Sequence, residues 1–291
     1  MNYLKQKSFI VILFLLQVIV LRAQENIPVQ LEPGLLWEIS GNGLKQKSYL
    51  FGTMHLMPKS DFFYPPKTLE KIKSAKTMAL EIDINIPVKE QLQMAHEILL
   101  PSGKELRDYL SEKEYAVFKS FLLDTLGVSE SKFEKYIKLK PFYIYSILLT
   151  EELGKVESYE KEFNKLAKKH QIKMIGLEEI KFQMDLVNQM DIREQAMSII
   201  GVDMMQEFNA MLSIYKKQNL NELFLFMRKS TEYERMEGEM LVKRNLNWIP
   251  KIEDLIAKES SFIAVGAAHL AGSMGVINLL RQKGYTLTPV K

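Results

Sequence analysis

The chain has 291 residues, 47% hydrophobic and 26% charged, so it is long and apolar enough to bury a sizeable core. It has no cysteine, which excludes disulfides, thiolate nucleophiles and thiolate metal sites; any metal must be held by His, Asp, Glu or carbonyl oxygen. With 39 basic and 36 acidic residues it offers no strong net charge, so neither nucleic acid nor an anionic membrane is expected as a partner.

Lys5 and Lys7 precede an apolar run from Phe9 to Leu21, and Arg22-Ala23-Gln24 follows it. A basic start, a short apolar stretch and a small residue at the cut read as a secretory signal peptide over residues 1–23. The run is short for a membrane span, which needs about 20 residues; an uncleaved anchor is the alternative. Cutting after Ala23 removes three basic residues and no acidic one, which leaves 36 of each. Residues 24–291 are then an exported domain, periplasmic or extracellular, with no stable span. Their length suits one domain with a helical elaboration.

Leu35 to Ile39 and Ser48 to Phe51 alternate as a hairpin across Gly41-Asn42-Gly43. The second strand runs into Gly52-Thr53-Met54-His55. Pro65-Pro66 opens a helix with Leu69, Ile72 and Ala75 at helical spacing, and Met78 to Ile84 is a strand. A strand-helix-strand unit predicts parallel neighbours, and period two puts Glu81 and Asp83 on one face. Pro87 starts another helix, broken at Leu100-Pro101-Ser102-Gly103. Ser111-x-x-Glu114 caps the next one, which Gly127 stops. Helix is expected from Glu130 to Leu153 with a break at Pro141, and again from Ser158 to His170. Ile172 to Glu178 is a strand ending in an acid. From Glu179 to Lys258 the pattern is almost wholly helical, with a cap at Asp191-x-x-Glu194 and breaks at Asn219 and Pro250. Phe262 to Val265 is a strand running into Gly266-Ala267-Ala268-His269; a helix to Lys283, stopped by Gly284, and a strand from Tyr285 close the chain. The expected fold class is α/β, with a sheet core built from the N- and C-terminal Gly-x-x-His strands and a large helical middle.

The two Gly-x-x-His stretches organise the functional reading. Glycine takes positive φ without steric cost, so each strand is expected to turn sharply and leave its histidine at the sheet rim, where open α/β sheets bind ligands. Neutral imidazole serves as metal ligand or general base, although two structural histidines near turns would give the same pattern. Glu81 and Glu178 lie in or at the end of buried-type strands, and carboxylates are rarely buried unless paired or ligating. One of them beside two imidazoles makes a two-His, one-carboxylate site with open positions for water; the other could act as general base. Each alone could equally pair with Lys or Arg at the rim. Arg244 and Trp248 share a helix face; Arg244 could hold a carboxylate or oxyanion, or merely stack on Trp248 at the helix surface. His96 and His170 read as ordinary surface positions. The methionines from Met184 to Met240 read as flexible core filler, with an adaptable groove as the alternative.

Together these motifs resemble the TraB/PrgY/GumN family, which includes the Tiki extracellular metalloproteases. The residues that carry the resemblance are Leu36-Trp37-Glu38-Ile39, Tyr49 to His55, Ala79 to Asp83, Gly176-Leu177-Glu178 with Gln183, Arg244-Asn245 with Trp248, Phe262 to Gly272, and Gly284-Tyr285. They span essentially the whole mature chain in the family's order. One departure is Glu160, where the family pattern carries Asp. The resemblance implies an erythromycin-esterase/ChaN-like core and, from the Tiki-type members, metal-dependent peptide cleavage. On this reading His55, His269 and Glu81 hold a divalent metal ion (Zn, Mn or Co). Glu178 activates or orients water, and Arg244 with Asn245 positions the scissile group or oxyanion of a peptide or other small substrate. The alternative is an envelope protein that sequesters a peptide or haem without turnover.

Overall fold

The structure, a computed structural model, describes residues 30–229 and 237–291; the expected signal peptide over 1–23 lies outside them. A six-stranded sheet is built from β1 (Leu36–Gly41), β2 (Ser48–Thr53), β4 (Thr77–Ile82), β6 (Lys173–Glu178), β7 (Ser261–Gly266) and β8 (Tyr285–Pro289). The strand order is β6-β4-β7-β2-β1-β8, and a separate two-stranded ladder joins β3 (Met57–Pro58) to β5 (Val156–Glu157). The neighbours β6, β4, β7 and β2 are parallel. The hairpin of β1 and β2 is antiparallel, turned by positive φ at Gly41, Asn42 and Gly43, and β8 runs antiparallel along β1.

Twelve α-helices accompany the sheet among the described residues. They are α1 (Thr68–Ser74), α2 (Val88–Glu97), α3 (Glu112–Ser120), α4 (Glu130–Tyr136), α5 (Pro141–Leu153), α6 (Tyr159–His170), α7 (Ile180–Gln189), α8 (Ile192–Ile199), α9 (Met204–Lys216), α10 (Leu220–Met227), α11 (Lys243–Lys258) and α12 (Val276–Gln282). None of them is long and apolar enough to cross a membrane. Every residue of β2 and β7 is buried, as expected for parallel strands covered on both faces. Tyr159, Phe163 and Ala167 form one buried stripe of α6. Phe163 meets Phe51 of β2 at 5.4 Å and Phe262 of β7 at 5.4 Å, an aromatic layer in which each ring adds about 2–3 kcal/mol of burial. On α11 the buried stripe is Trp248, Ile249, Ile252 and Ile256. The helical middle holds a second core around Phe118, Leu122, Phe133, Ile137 and Ile144.

Several expectations are corrected. β2 and β4 are not neighbours: β7, from the far end of the chain, lies between them. Pro250 does not break α11. It is exposed, and the buried stripe on either side of it holds the helix together despite the lost hydrogen bond. Asp83 falls beyond the end of β4 and is exposed, accepting from the Asn85 amide, so it does not share the strand face with Glu81. His170 is half-buried rather than at the surface. Neither Gly52 nor Gly266 has positive φ. Their glycines are needed for close approach: a Cβ on Gly52 would lie 2.9 Å from Leu270 Cδ1 and 3.1 Å from the Ala267 Cα.

Candidate active site

The parallel register pairs Gly52 with Val265 and Thr53 with Gly266, so the two Gly-x-x-His segments leave the sheet side by side. On the other side of β7, β4 and β6 end together with Ile82 opposite Glu178. The C-terminal ends of four parallel strands therefore deliver His55, Glu81, Glu178 and His269 to one rim, the usual binding edge of such sheets. Arg244 and Asn245 reach the same rim from the first turn of α11, just after a π-helical turn at Gly238–Val242. Such turns recur at functional sites.

Glu81 is buried. Its Oε1 accepts from the Gly266 N–H at 2.7 Å, while Oε2 accepts from Arg244 Nη2 at 2.5 Å and Gln183 Nε2 at 3.1 Å. Burial opposes its ionisation, but the neighbouring imidazoles, the guanidinium and the Gly266 N–H outweigh that and bring its carboxyl down to about 2. Glu178 has both oxygens engaged: Oε1 accepts from Gln183 Nε2 at 2.8 Å and Arg244 Nε at 2.9 Å, and Oε2 from Trp248 Nε1 at 2.9 Å. Arg244 is clamped between the two acids and lies 4.8 Å from the Trp248 ring centroid. The stacking expected of Arg244 on Trp248 thus holds, with both partners buried rather than at the helix surface.

His269 is also buried. Its Nδ1 lies 2.6 Å from Asn245 Oδ1, an acceptor, so Nδ1 carries the hydrogen and Nε2 presents a lone pair. That lone pair faces Arg244 Nη1 at 3.2 Å, and Nε2 is 3.8 Å from Glu81 Oε1. Burial, reinforced by the guanidinium, pushes His269 down to about 3, so its ring is neutral at pH 7. Arg244, not His269, therefore offsets the Glu81 charge near neutrality.

His55 stands at the cleft mouth with its side chain 66% exposed. Its Nδ1 lies 2.9 Å from Glu160 Oε1, and that carboxylate also accepts from Thr53 Oγ1 and Ser158 Oγ. Loss of water works against a charged His55, but the Glu160 hydrogen bond and the charges of Glu81 and Glu160 raise it to about 9. Burial would raise Glu160; its contacts with His55 and Ser158 instead lower it to about 2. The Nε2 of His55 points inward. A Cβ placed on Gly266 would sit 3.2 Å from Glu81 Oε1, 3.6 Å from His269 Cδ2 and 3.6 Å from His55 Nε2. Glycine at 266 keeps that shared space open.

The rim forms the floor of a cleft of about 680 Å³, walled by the helical middle and lined in part by Met54, Tyr145, Met211 and Met240. The sequence model of the TraB/PrgY/gumN family matches residues 35–289, nearly the whole chain. The chain belongs to that family. No curated protein and no solved structure matches it.

In this TraB/PrgY/gumN member all six residues singled out from the sequence meet at one rim, while His96 lines a second groove that Glu178 also borders. Three further residues complete the site. Glu160 orients His55, Gln183 bridges Glu81 and Glu178, and Trp248 holds Glu178. Glu160 stood out in the sequence only as a departure from the family pattern, and Gln183 only as a motif companion. Glu160 presents a carboxylate at the cleft mouth. Its hydrogen bond to His55 shows that the position is engaged.

Proposed function

We propose that this protein is an exported hydrolase that cleaves amide bonds in peptides with the help of a divalent metal ion of the Zn, Mn or Co class. The observation that carries the reading is the convergence of His55 Nε2, His269 and Glu81 Oε1 on the space kept open by Gly266. Their chemistry suits a metal. Asn245 orients His269 and Glu160 orients His55, the arrangement in which a second hydrogen bond fixes a ligating imidazole. The 3.8 Å from His269 Nε2 to Glu81 Oε1 can be spanned by two bonds of about 2.0–2.2 Å. Among the described residues, however, no three His, Asp or Glu side chains already stand in a metal-holding arrangement, and Arg244 covers the His269 lone pair. The guanidinium has to give way for the third donor to close in.

A bound metal would lower the pKa of its water and polarise a carbonyl. The chain's own residues do the rest. His55 would offer its Nε2 lone pair to the metal as a neutral ring while Glu160 accepts from its Nδ1–H and fixes the ring. Arg244 offers fixed positive charge to a substrate carbonyl or carboxylate, with Glu81 and Glu178 holding it in place. Asn245 keeps His269 in one tautomer. The helical wall excludes water from one side of the scissile bond. The kinship of the core to the erythromycin-esterase and ChaN-like architecture belongs to the same proposal.

A second reading, sequestration of a peptide or haem without turnover, is favoured by one observation: Arg244, Glu81, Glu178 and His269 are already mutually satisfied. Metal content and peptide-library cleavage, measured for the wild type, His55→Ala and His269→Ala, separate the two. Stoichiometric metal and cleavage, both lost in the folded variants, support the hydrolase. Binding of peptide or haem with no metal and no cleavage supports sequestration.

A further inference from the structure

We infer that Glu207, with the rings of Tyr145 and Phe142, forms a cation subsite in the cleft wall, which selects substrates that carry an ammonium or guanidinium group at a set distance from the bond at the rim. The inference deepens the peptidase reading above and rests on it.

Charge balance in the cleft carries it. Among the described residues three charged side chains line the cleft, His55, Arg244 and Glu207. His55 has Glu160 at 2.9 Å, and Arg244 has Glu81 and Glu178. Glu207 has no counter-ion: among the described residues its carboxylate takes part in no hydrogen bond and no ion pair. Its own helix offers no cation, since Asp203 and Met211 stand one turn away on either side. A carboxylate left open in a cleft favours a ligand of opposite sign.

The surroundings suit such a ligand. α5 packs against α9 and brings Tyr145 near Glu207. Burial raises the Tyr145 hydroxyl and the Glu207 charge raises it further, so the ring stays neutral. Phe142 stands three residues earlier on the same face of α5, lines the same cleft and is 38% exposed. Aromatic rings beside a carboxylate attract an ammonium or guanidinium group twice over, by quadrupole and by charge. An acyl chain seated there would take water from Glu207 and return nothing.

The helix sets the spacing. Glu207, Met211 and Tyr215 recur every four residues along α9, and all three line the cleft. At the far end the Tyr215 hydroxyl donates to Gly52 O at 2.8 Å, just before the segment that delivers His55. From 207 to 215 an α-helix rises about 12 Å, so Glu207 stands roughly that far from the rim. An extended chain covers about 3.3 Å per residue, which puts the cation about three or four residues from the bond presented there.

The test is anisotropy binding to the mature protein in EDTA, so that no cleavage intervenes. The probes are labelled Gly-Ser-Ala peptides with blocked ends that carry lysine, glutamine or glutamate at one position; a further probe has glutamine and a free amino terminus. The lysine peptide should bind about fivefold tighter than the blocked glutamine peptide, the size of a partly screened ion pair with a ring contact. Glu207→Gln should abolish that preference and Glu207→Lys should turn it toward glutamate, both checked for fold by circular dichroism. Glu112→Gln removes an exposed first-turn acid of α3 outside the cleft and should change nothing. A free amino terminus that binds as tightly as lysine assigns the subsite to a chain end, and one that binds like the blocked peptide assigns it to basic side chains. Equal binding of all the peptides, a preference that survives Glu207→Gln, an equal loss in Glu112→Gln, or displacement by stoichiometric spermidine would overturn the inference. Lysine preference without cleavage under any metal leaves the inference standing and sinks the hydrolase. Cleavage at positions that ignore the lysine does the reverse.

Discussion

Arg244 Nη1 rests 3.2 Å from Nε2 of His269, on the lone pair that a metal would take. The same guanidinium bonds Glu81 and Glu178, and all four side chains are nearly inaccessible to water. A positive group is thus already built into the donor cluster. On the proposed metal reading, metal and arginine would compete for one position.

That competition gives a prediction about stability. Arg244→Ala leaves two buried carboxylates without their cation, which should cost about 3–5 kcal/mol in the metal-free protein. Added Mn or Zn should recover part of the loss by binding the exposed donors, so the thermal shift per added metal should be larger for the variant than for the wild type. Differential scanning fluorimetry in EDTA and in excess metal checks both. A variant as stable as wild type without metal would mean that the clamp is not what keeps the acids apart. One that fails to respond to metal would mean that the donors cannot close in.

The glycines make opposite predictions. At Gly266 the backbone is ordinary, with φ −51, but a methyl would fill the space between the donors. Gly266→Ala should fold and lose metal or substrate binding. At Gly52 a methyl would press on Leu270 and on the Ala267 backbone, a clash of the kind that costs about 1–3 kcal/mol. Gly52→Ala should therefore lower the melting temperature with the site chemistry otherwise intact. Melting curves beside metal titrations separate the two. Equal destabilisation in both variants would contradict this division of roles.

Much of this site was legible because local rules coincide with its construction. A buried apolar run ending in Gly-x-x-His occurs twice, and the parallel register of β2 and β7 turns two local motifs into one rim. The capping boxes were readable for the same reason, as at Ser111 and Glu114, where the contacts are all within four residues. Placement of β7 between β4 and β2 was not readable, since nothing near Phe262 specifies which strand it joins. Glu160 was noticed but its contact was not readable, because its partner, His55, is 105 positions away. Pro250 misled because helix propensity is local, whereas the burial of Trp248 and Ile252 that overrides it is tertiary.

The pair of His55 and Glu160 should titrate as a unit. His55 is raised from 6.5 to about 9, so its contribution to stability is full below pH 6.5 and is lost as pH rises through about 9. Glu160 is lowered from 4.5 to about 2, so its contribution is present above pH 4.5 and is lost as pH falls through about 2. The pair therefore contributes most between those ordinary values. In EDTA the imidazole resonance of His55 should show a midpoint near 9, and Glu160→Gln should move it down toward 6.5. The Glu81 charge should keep it from falling the whole way. A midpoint unchanged by that substitution would remove Glu160 from the site.

The family resemblance implies that Glu178 activates or orients water, and in the structure both of its oxygens are already engaged. Gln183, Arg244 and Trp248 donate to its two oxygens, contacts that would suit a positioning residue acting through Arg244. Glu178→Gln keeps the shape and removes the charge, so it should weaken three charge-assisted hydrogen bonds and cost about 1.5–3 kcal/mol of stability. Metal affinity should change little, since Glu178 is not among the donors around Gly266. Any loss of cleavage should then track the loosening of Arg244 and appear in substrate affinity as well as in turnover. A folded, fully stable variant with turnover alone abolished would instead make Glu178 the general base.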